Sequence, residues 1–148
     1  MILYGKDEYI AQWTLQFIPH VRSFGECAAL GVLARDGRLI AGCVYNEYRP
    51  RDGTIAVSIA AISPMWARKE NIKELLRHPF EYLHCYRVWS AMLASNEPAL
   101  KVNAHIGFKK EAVLAHHFGK KRHAVISRLL RPDYDRLYGA HADEQRQA

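Results

Sequence analysis

The stretch from Tyr86 to Phe108, YRVWSAMLASNEPALKVNAHIGF, decides the expected fold of this chain. Its first half carries small and apolar residues with few charges, which is typical of a strand covered on both faces. Ser95 or Asn96 can cap a following helix, and Pro98 stands in its first turn, where a missing N–H costs nothing. Gly107 then supplies the helix stop. The stretch therefore predicts a buried strand, a polar corner suited to a ligand, and a short helix.

Upstream of this stretch, the pattern predicts a helix followed by three antiparallel strands. Asp36-Gly37 and Asp52-Gly53 favour tight turns, because glycine readily takes positive φ angles. A second helix follows the strands, and Pro79 should break it near His78. The expected bounds are 7–17 for the first helix and 27–33, 39–48 and 54–62 for the strands.

Downstream, residues 108–118 and 122–130 read as a long hairpin, and a helical turn is expected over 133–138. The crossover from the third strand to the fourth is the one parallel connection in this order. The order predicts an α+β (mixed α/β) domain built on a central mixed sheet, mostly antiparallel, of six to seven strands with flanking helices. We expect a single domain over residues 1–139 and a disordered tail over 140–148.

Composition narrows the class of protein. The 148 residues carry a formal charge of +6, which favours anionic partners but does not choose among them. The three cysteines are odd in number and widely spaced, which argues against a disulfide framework and a zinc site. No apolar run approaches the length of a membrane span. A cytoplasmic protein that binds no metal and no membrane is therefore expected.

The residues around the corner resemble those of the GNAT superfamily of N-acetyltransferases. Asn96-Glu97-Pro98-Ala99 and Gly107-Phe108-Lys109-Lys110-Glu111 stand at the spacing found in the branch that acetylates ribosomal-protein N-termini and in similar phage-associated proteins. The resemblance implies an acyl-CoA-dependent N-acyltransferase that uses acetyl-CoA. The acceptor would be a primary amine of a protein, peptide or small molecule, which attacks the thioester directly.

The resemblance also assigns a coenzyme site. The backbone of Ala60, Ala61 and Ile62 would hold the pantetheine arm on one side, with Asn96 and Asn103 on the other. The pyrophosphate loop falls on Trp66, Ala67, Arg68, Lys69, Glu70 and Asn71. Lys69 and Asn71 stand where that loop normally has glycines, which let backbone N–H groups approach the phosphates. Either Arg68 and Lys69 replace those backbone donors with charge, or the loop lacks the standard coenzyme grip.

The catalytic residues are less defined. The position at which the family often carries a tyrosine, the acid that protonates the thiolate, is Asn103, which leaves Ser95 or water for that task. Glu47 and a histidine, His116 or His117, are candidates for the general base that takes the amine proton. We select His117, on the expectation that both histidines lie on a strand, where neighbours point to opposite faces and only one can enter the cleft.

Two functions of other classes compete with acyl transfer. One is a phage-type GNAT-like protein that binds or modifies nucleic acid, a function that the net positive charge favours. The other is a non-catalytic binding module that keeps the fold without the coenzyme. A homodimer formed through the C-terminal strands is a possible assembly, with Trp89 as one candidate contact.

Overall fold

The computed structural model describes residues 1–140, and the rest of the predicted disordered tail lies outside the described residues. Its centre is a mixed sheet of seven strands in the order β1-β2-β3-β4-β5-β7-β6. The strands are β1 (Ile2–Leu3), β2 (Cys27–Leu33), β3 (Leu39–Arg49), β4 (Thr54–Ala61), β5 (Arg87–Leu93), β6 (Lys109–Leu114) and β7 (Ala124–Leu130). The α-helices are α1 (Asp7–Leu15), α2 (Lys69–Arg77), α3 (Glu97–Ile106) and α4 (Arg131–Tyr138). The predicted fold class and the order of its elements are therefore confirmed.

Strand pairing follows the predicted scheme. Strands β2, β3 and β4 form an antiparallel meander, and the short strand β1, which the sequence did not reveal, pairs with β2. Strands β4 and β5 pair in parallel, as expected from the helical crossover between them. Strand β7 then inserts between β5 and β6, antiparallel to both.

Helix α1 covers one face of the sheet. Ile10 and Thr14 are fully buried there. Ile10 belongs to a cluster with residues of β2 and β3, and the helix contacts both of these strands. The helix comes so close that a Cβ on Gly42 of β3 would lie 1.9 Å from the Thr14 hydroxyl oxygen. A glycine is therefore required at position 42, because no other residue leaves room for the helix.

The other three helices pack on the opposite face. Leu75 of α2, Ile106 of α3 and Tyr134 of α4 belong to one buried cluster that also includes Val57 and Val88 from the strands. Burying side chains of this size stabilises a fold by about 1.5–3 kcal/mol each. The larger part of the core therefore lies between the sheet and these three helices. None of the helices within residues 1–140 is long and apolar enough to cross a membrane.

The polar corner between β5 and α3 forms as predicted. Asn96 caps α3 by accepting a hydrogen bond from the Ala99 backbone N–H at 3.3 Å. Gly107 ends the helix at φ 122°, and the N–H of Phe108 donates back to the carbonyl of Asn103 at 3.1 Å. This is the Schellman arrangement, which satisfies carbonyls left over at a helix end. Both ends of α3 are thus set by local sequence.

Pro79 has the predicted effect on the second helix. Helix α2 ends at Arg77 and continues as one wider π-helical turn over His78–Tyr82. The N–H of Leu83 donates to the carbonyl of His78 at 3.1 Å, five residues back. The wider turn accommodates the missing N–H and the ring of the proline.

The predicted hairpin at the C-terminal end is wrong in one respect. Strand β6 ends at Leu114 and β7 begins at Ala124, so the two strands are joined by a nine-residue loop over 115–123. We call this segment the β6–β7 loop. His116 has a positive φ of 55°, and its N–H donates to Nδ1 of His123 at 2.9 Å instead of to a strand. His116 and His117 therefore do not lie on β6, contrary to the sequence prediction.

Candidate active site

A gap opens between two neighbouring parallel strands. The paired register of β4 and β5 runs from Thr54 and Arg87 to Ala56 and Trp89, and then ends. Both strands continue, β4 to Ala61 and β5 to Leu93, without pairing with each other. Strand β4 remains paired with β3, and β5 remains paired with β7, on their outer sides. The sheet is therefore split from the middle of these strands to their carboxyl ends.

The backbone direction shows which groups face this gap. The N–H of Ile62 donates to Ile40 of β3 at 2.9 Å. Because partners alternate along a strand, Ile59 and Ala61 turn their N–H and C=O groups the other way, toward β5. On β5, the N–H of Ala94 donates to His123, so Ala91 and Leu93 face β4 by the same alternation. Both walls of the gap thus present backbone groups in an extended conformation.

This alternation corrects part of the predicted pantetheine wall. Of Ala60, Ala61 and Ile62, only Ala61 directs its backbone N–H into the gap. Ile62 donates its N–H to a carbonyl of β3, and Ala60 pairs with Gly42, which also lies on β3. Ile59, which the sequence analysis did not select, faces the gap instead. The prediction was off because the side of a strand that a backbone N–H takes depends on pairing, which the local sequence does not encode.

Helix α3 packs on β5 beside the gap, on the face of the larger core. Nδ2 of Asn103 donates to the Ser90 hydroxyl oxygen at 3.2 Å and lies 3.7 Å from the Met92 sulfur, both on β5. Its Oδ1 atom is buried and accepts no hydrogen bond within the described residues. A buried acceptor without a donor is unfavourable, so a ligand N–H at this position would be stabilising. Asn96 is exposed at the start of the same helix, with its Oδ1 engaged in the cap.

The loop predicted for pyrophosphate is compact and partly built from its own side chains. Residues 64–67 form a 3-10 turn in which Trp66 is buried. Asn71 is also buried, and its Nδ2 donates to the Trp66 carbonyl at 3.2 Å. The side chain at this position, where the resemblance places a glycine, therefore points into the protein. Arg68, Lys69 and Glu70 are exposed at the beginning of α2.

The three predicted catalytic residues do not come together. Glu47 lies at a bulge between Asn46 and Arg49 of β3 and has a positive φ of 52°. It lines a cavity of about 290 Å³ at the closed end of the gap. Ser95 follows β5 at the open end. Leu93, the last residue of β5, is four residues beyond Trp89 of this cavity, so Ser95 lies about 13 Å or more from it. His117 is exposed in the β6–β7 loop, also at the open end.

The remaining lining of the Glu47 cavity mixes both charges. Arg49, Asp52, Thr54, Arg87 and Trp89 contribute to it. Arg87 is held by Glu111, which accepts two hydrogen bonds from its guanidinium at 2.6 and 2.9 Å. These bonds, with the nearby positive charges of Arg87 and Arg128, lower the pKa of Glu111. Glu111 of β6 thus links to Arg87 of β5 and to Arg128 of the intervening β7, so its carboxylate is engaged within the sheet.

On the α1 face, two segments of the chain meet across the gap. The sequence did not predict this contact. Residues 16–26 follow α1 and are held to β3, where Nδ2 of Asn46 donates to the Phe24 carbonyl at 3.1 Å. The β6–β7 loop is held to β5 through Ala94 and His123. The rings of His20 and Phe118 are in contact in a tilted arrangement, with 4.1 Å between their centroids and an interplanar angle of 40°. Since β4 and β5 separate the two halves of the sheet, this contact bridges the gap.

His20 is unusual within that contact. Its Nδ1 is buried and has no hydrogen-bond partner among residues 1–140. Burial lowers the pKa of the ring, and the charges of Arg122 and His117 act in the same direction. No sequence signal could have shown this, because His20 and Phe118 lie far apart in the chain and neither belongs to a periodic pattern.

A larger cavity of about 570 Å³ is lined by residues of β2, β3 and the 66–71 loop. Val32, Ile40 and Met65 give it apolar walls, and Arg35, Arg68 and Glu70 stand at it. Within residues 1–140, no three histidine, cysteine or acidic side chains are grouped as metal ligands. Cys43 and Cys85 are buried free thiols, and burial raises the pKa of both.

No model of a protein family matches the sequence, and no curated protein matches it either. Solved structures do match the fold. Ribosomal-protein-S5-alanine acetyltransferase from Vibrio fischeri aligns with a TM-score of 0.62 and 16% identity, over 73% of this chain and 63% of its own.

Two structures of spermidine N-acetyltransferase from Vibrio cholerae match over a larger part. A mutant form aligns with a TM-score of 0.73 and 13% identity, over 96% of this chain and 99% of its own. The form in complex with CoA and spermine aligns with a TM-score of 0.72 and 13% identity, over 90% and 96% of the two chains. At such low identity the likeness concerns the fold. The GNAT fold expected from residues 96–111 is thereby confirmed.

Proposed function

We propose that this chain is an acetyl-CoA-dependent N-acetyltransferase that acts on a primary amine. The observation that carries the proposal is the gap between β4 and β5, where two parallel strands leave backbone N–H and C=O groups facing each other without pairing. Unpaired backbone groups in a sheet interior are costly, and an extended amide-containing ligand can satisfy them. The pantetheine arm of coenzyme A is such a ligand.

The chain's own groups suit the two walls of that arm. Ile59 and Ala61 offer N–H and C=O groups on one wall, and Ala91 and Leu93 offer them on the other. Asn103 adds a buried acceptor, Oδ1, that lacks a donor. Acetyl-CoA would supply an acetyl thioester as the electrophile. A backbone N–H that faces the gap is suited to polarise its carbonyl, since fixed donors lose no energy in reorganising.

The pyrophosphate half relies on a helix end and on charge. The first N–H groups of α2 have no acceptors within the helix, and the helix dipole favours an anion there. Arg68 and Lys69 add positive charge at this end. Because the side chain of Asn71 is buried under the loop, it leaves the outer side of the loop open. These features support coenzyme binding without the usual glycines.

Proton transfer is proposed to involve water. Glu47 lies at the closed end of the gap, and His117 lies in an exposed loop at the open end, so neither contacts the middle of the gap directly. Ser95 stands at the open end of β5 and is the proposed donor to the departing thiolate. Water can replace it, because a thiolate is a good leaving group.

The proposal is tested by titration calorimetry with acetyl-CoA. We expect saturable binding by the wild type. The substitution Ala61→Pro removes an N–H that faces the gap and leaves the bonds to β3 intact. It should weaken binding about tenfold, which corresponds to about 1.4 kcal/mol. Ala61→Ser keeps the N–H in the same exposed position and should bind as the wild type does.

Acetyl transfer to a mixture of free amines is then followed by mass spectrometry. Absence of acetyl-CoA binding at millimolar concentration would overturn the proposal. Equal binding by the proline and serine variants would leave the enzyme proposal standing but would reject Ala61 as part of the pantetheine wall.

A further inference from the structure

We propose that the larger cavity, of about 570 Å³, is a second ligand site that binds a phosphate monoester with an apolar or aromatic body. We call it the Arg35 cavity. Sites for small organic molecules usually enclose about 300–1,000 Å³, so its size suits a ligand such as a nucleoside monophosphate. The binding that this inference predicts is separate from acetyl transfer and can be measured without it.

The Arg35 cavity is built from the part of the sheet that lies across β4 from β5. It is lined by Met1, by residues of β2 and β3 and the turn between them, and by residues of the segment 63–71. In the sheet order, β3 and β2 follow β4 on one side, whereas β5 lies on its other side. No residue of β5 or α3 lines the cavity within the described part of the chain. A ligand there therefore leaves the β5 wall of the gap open to the pantetheine arm.

Two arginines give the cavity a pair of unpartnered cations. Arg35 stands in the turn between β2 and β3, Arg68 directly precedes α2, and both are exposed. Neither side chain forms an ion pair or a hydrogen bond within residues 1–140. The third arginine of the lining, Arg38, already binds Asp36 at 2.8 Å. Guanidinium groups suit phosphate in particular, because they donate two parallel hydrogen bonds to it.

The charge balance favours a phosphate monoester over a carboxylate. A phosphate monoester carries about 1.5 to 2 negative charges at pH 7, which matches two guanidinium groups, whereas a carboxylate carries a single charge. Among the described residues that line the cavity, Glu70 alone has a carboxylate. Its place in the first turn of α2 is favoured by the helix dipole. Glu70 opposes an anion, but Arg35 and Arg68 together outweigh it.

The apolar walls require that the phosphate be attached to a larger body. Val32 and Ile40 line the cavity with almost fully buried side chains. Met65 lines it as well and is 53% exposed, which is unusual for a large apolar side chain. An apolar or aromatic body would cover Met65, whose thioether adapts to many shapes. Inorganic phosphate alone would leave these walls in water.

Asn71 connects the cavity to the departure from the acetyltransferase loop motif. Its side chain lines the cavity, and its Nδ2 donates to the Trp66 carbonyl at 3.2 Å. This bond holds the 3-10 turn over 64–67 that carries Met65. A glycine at position 71 would have no side chain for either task. The residue that stands where the family's loop has a glycine thus forms part of the second site.

Arg68 links the Arg35 cavity to the proposed coenzyme site. Under the proposed function, the same side chain adds positive charge for the pyrophosphate at the start of α2. A phosphate in the cavity and the pyrophosphate then draw on one guanidinium, so each ligand should weaken the binding of the other by the same factor. This coupling, unlike the binding itself, rests on the proposed function.

The test is calorimetry of the full-length chain with AMP, adenosine, inorganic phosphate and phenyl phosphate. We expect AMP to bind at least about tenfold more tightly than adenosine, which lacks the charge. AMP and phenyl phosphate should both bind at least about tenfold more tightly than inorganic phosphate, which lacks the body. Equal affinity for AMP and either of its halves would overturn the inference. Absence of binding by AMP and phenyl phosphate at millimolar concentration would overturn it too.

Matched substitutions assign the binding to the cavity. Arg35→Gln should weaken AMP binding about tenfold and leave the affinity for acetyl-CoA unchanged. Arg51→Gln removes the same charge from an exposed position of the next turn, outside the lining, and should leave AMP binding unchanged. Glu70→Gln removes the opposing charge and should strengthen the binding of phenyl phosphate about threefold. Equal effects of the two arginine variants, or weaker binding in Glu70→Gln, would reject the site.

A last measurement separates a second ligand from the coenzyme, because acetyl-CoA itself contains an adenosine phosphate. AMP is titrated into the chain saturated with acetyl-CoA. We expect AMP still to bind, several times more weakly because of the shared Arg68. Complete exclusion of AMP, with weaker acetyl-CoA binding in Arg35→Gln, would assign the cavity to the coenzyme and overturn the inference. Failure of acetyl-CoA to bind would reject the proposed function, while AMP binding to the free chain would still decide on the cavity.

Discussion

The two walls of the gap are built in different ways. The wall formed by β5 and α3 uses specific side chains: Asn96 caps the helix, Asn103 joins it to Ser90, and Gly107 ends it. The wall formed by β4 and the 66–71 loop offers backbone groups and a helix end, and its side chains, such as Asn71, support it from inside. The first wall can be predicted from the types of its residues. The second cannot, because it depends on the path of the backbone.

This difference explains why the acetyltransferase motif is matched on the wall of β5 and α3, whereas on the other wall Lys69 and Asn71 stand in place of its glycines. A site made by side chains constrains residue identity at each position. A site made by backbone groups constrains only the path of the chain, and several sequences can give the same path. If the 66–71 loop holds pyrophosphate as proposed, the absence of glycines at positions 69 and 71 alters the sequence motif more than it alters the site.

The largest effect is expected on the side-chain wall, at Gly107. Its φ of 122° is rarely adopted by other residues, and a Cβ there would lie 2.6 Å from Cδ1 of Leu137 on α4. We expect Gly107→Ala to lower the free energy of unfolding by about 2–3 kcal/mol, from backbone strain and displaced packing together. Urea unfolding measures the loss.

Gly119 provides a matched control. Its φ is 121°, nearly the same, but the nearest atom to an added Cβ is Cδ of Arg122 at 3.9 Å. Gly119→Ala should therefore lose only the strain, about 1 kcal/mol. Equal losses at the two glycines would mean that the contact with Leu137 contributes nothing.

The backbone wall is tested by placing a glycine at position 71. Asn71→Gly removes the hydrogen bond to the buried Trp66 carbonyl and adds backbone freedom to the first helical turn. We expect a loss of about 1–2 kcal/mol in stability. Because the side chain already points inward, affinity for acetyl-CoA should change less than twofold by calorimetry.

Lys69→Gly is the companion to that experiment, since Lys69 is exposed at the other position where the family's loop has a glycine. A tenfold gain in acetyl-CoA affinity in Asn71→Gly would contradict the inward orientation as the reason for tolerance. A gain confined to Lys69→Gly would mean that only the first glycine matters for access to the phosphates.

A smaller effect should separate the two roles of Asn96. Asn96→Ala removes the cap and should cost about 1 kcal/mol of stability. Asn96→Ser keeps a cap oxygen but removes the amide donor, so stability should stay within about 0.5 kcal/mol of the wild type. If Asn96 also binds pantetheine, the serine variant should still bind acetyl-CoA several times more weakly. Wild-type affinity in the serine variant would leave Asn96 as a helix cap only.

The smallest effect concerns the contact that bridges the two walls. Burial lowers the pKa of His20, so at mildly acidic pH the unfolded chain binds a proton there that the folded chain does not. Stability must then fall as the pH drops below the ordinary value of histidine, and it is fully present above it. We expect His20→Gln to reduce the fall in Tm between pH 7.5 and 5.5 by about 1–2 °C, since the ring is partly exposed.

The exposed His105 is the control for this titration. His105→Gln should keep the wild-type pH dependence, which also contains the contribution of His78, whose pKa is lowered by burial. An unchanged pH dependence in His20→Gln would show that protonation at His20 does not oppose the fold.

Much of the fold followed from residues close together in the chain. The Asp36-Gly37 turn joined β2 to β3, Pro79 ended α2 near His78, and Asn96 and Gly107 bounded α3. These signals are local, because a cap, a turn or a proline acts on backbone groups within a few residues. The β6–β7 connection was misjudged because His116 bonds its N–H to a side chain seven residues away, which ends the strand early.

The sequence by itself determined the order of elements, the ends of α3 and the identity of the side chains on its wall of the gap, because each depends on local chemistry. Only the tertiary structure decided where β4 and β5 part, which N–H groups face the opening, that Asn71 turns inward, and that His20 meets Phe118 across it. Those features depend on pairing and packing between segments remote in sequence. The corner at Asn96 could thus be recognised from its residues, while the opening beside it exists only in the folded sheet.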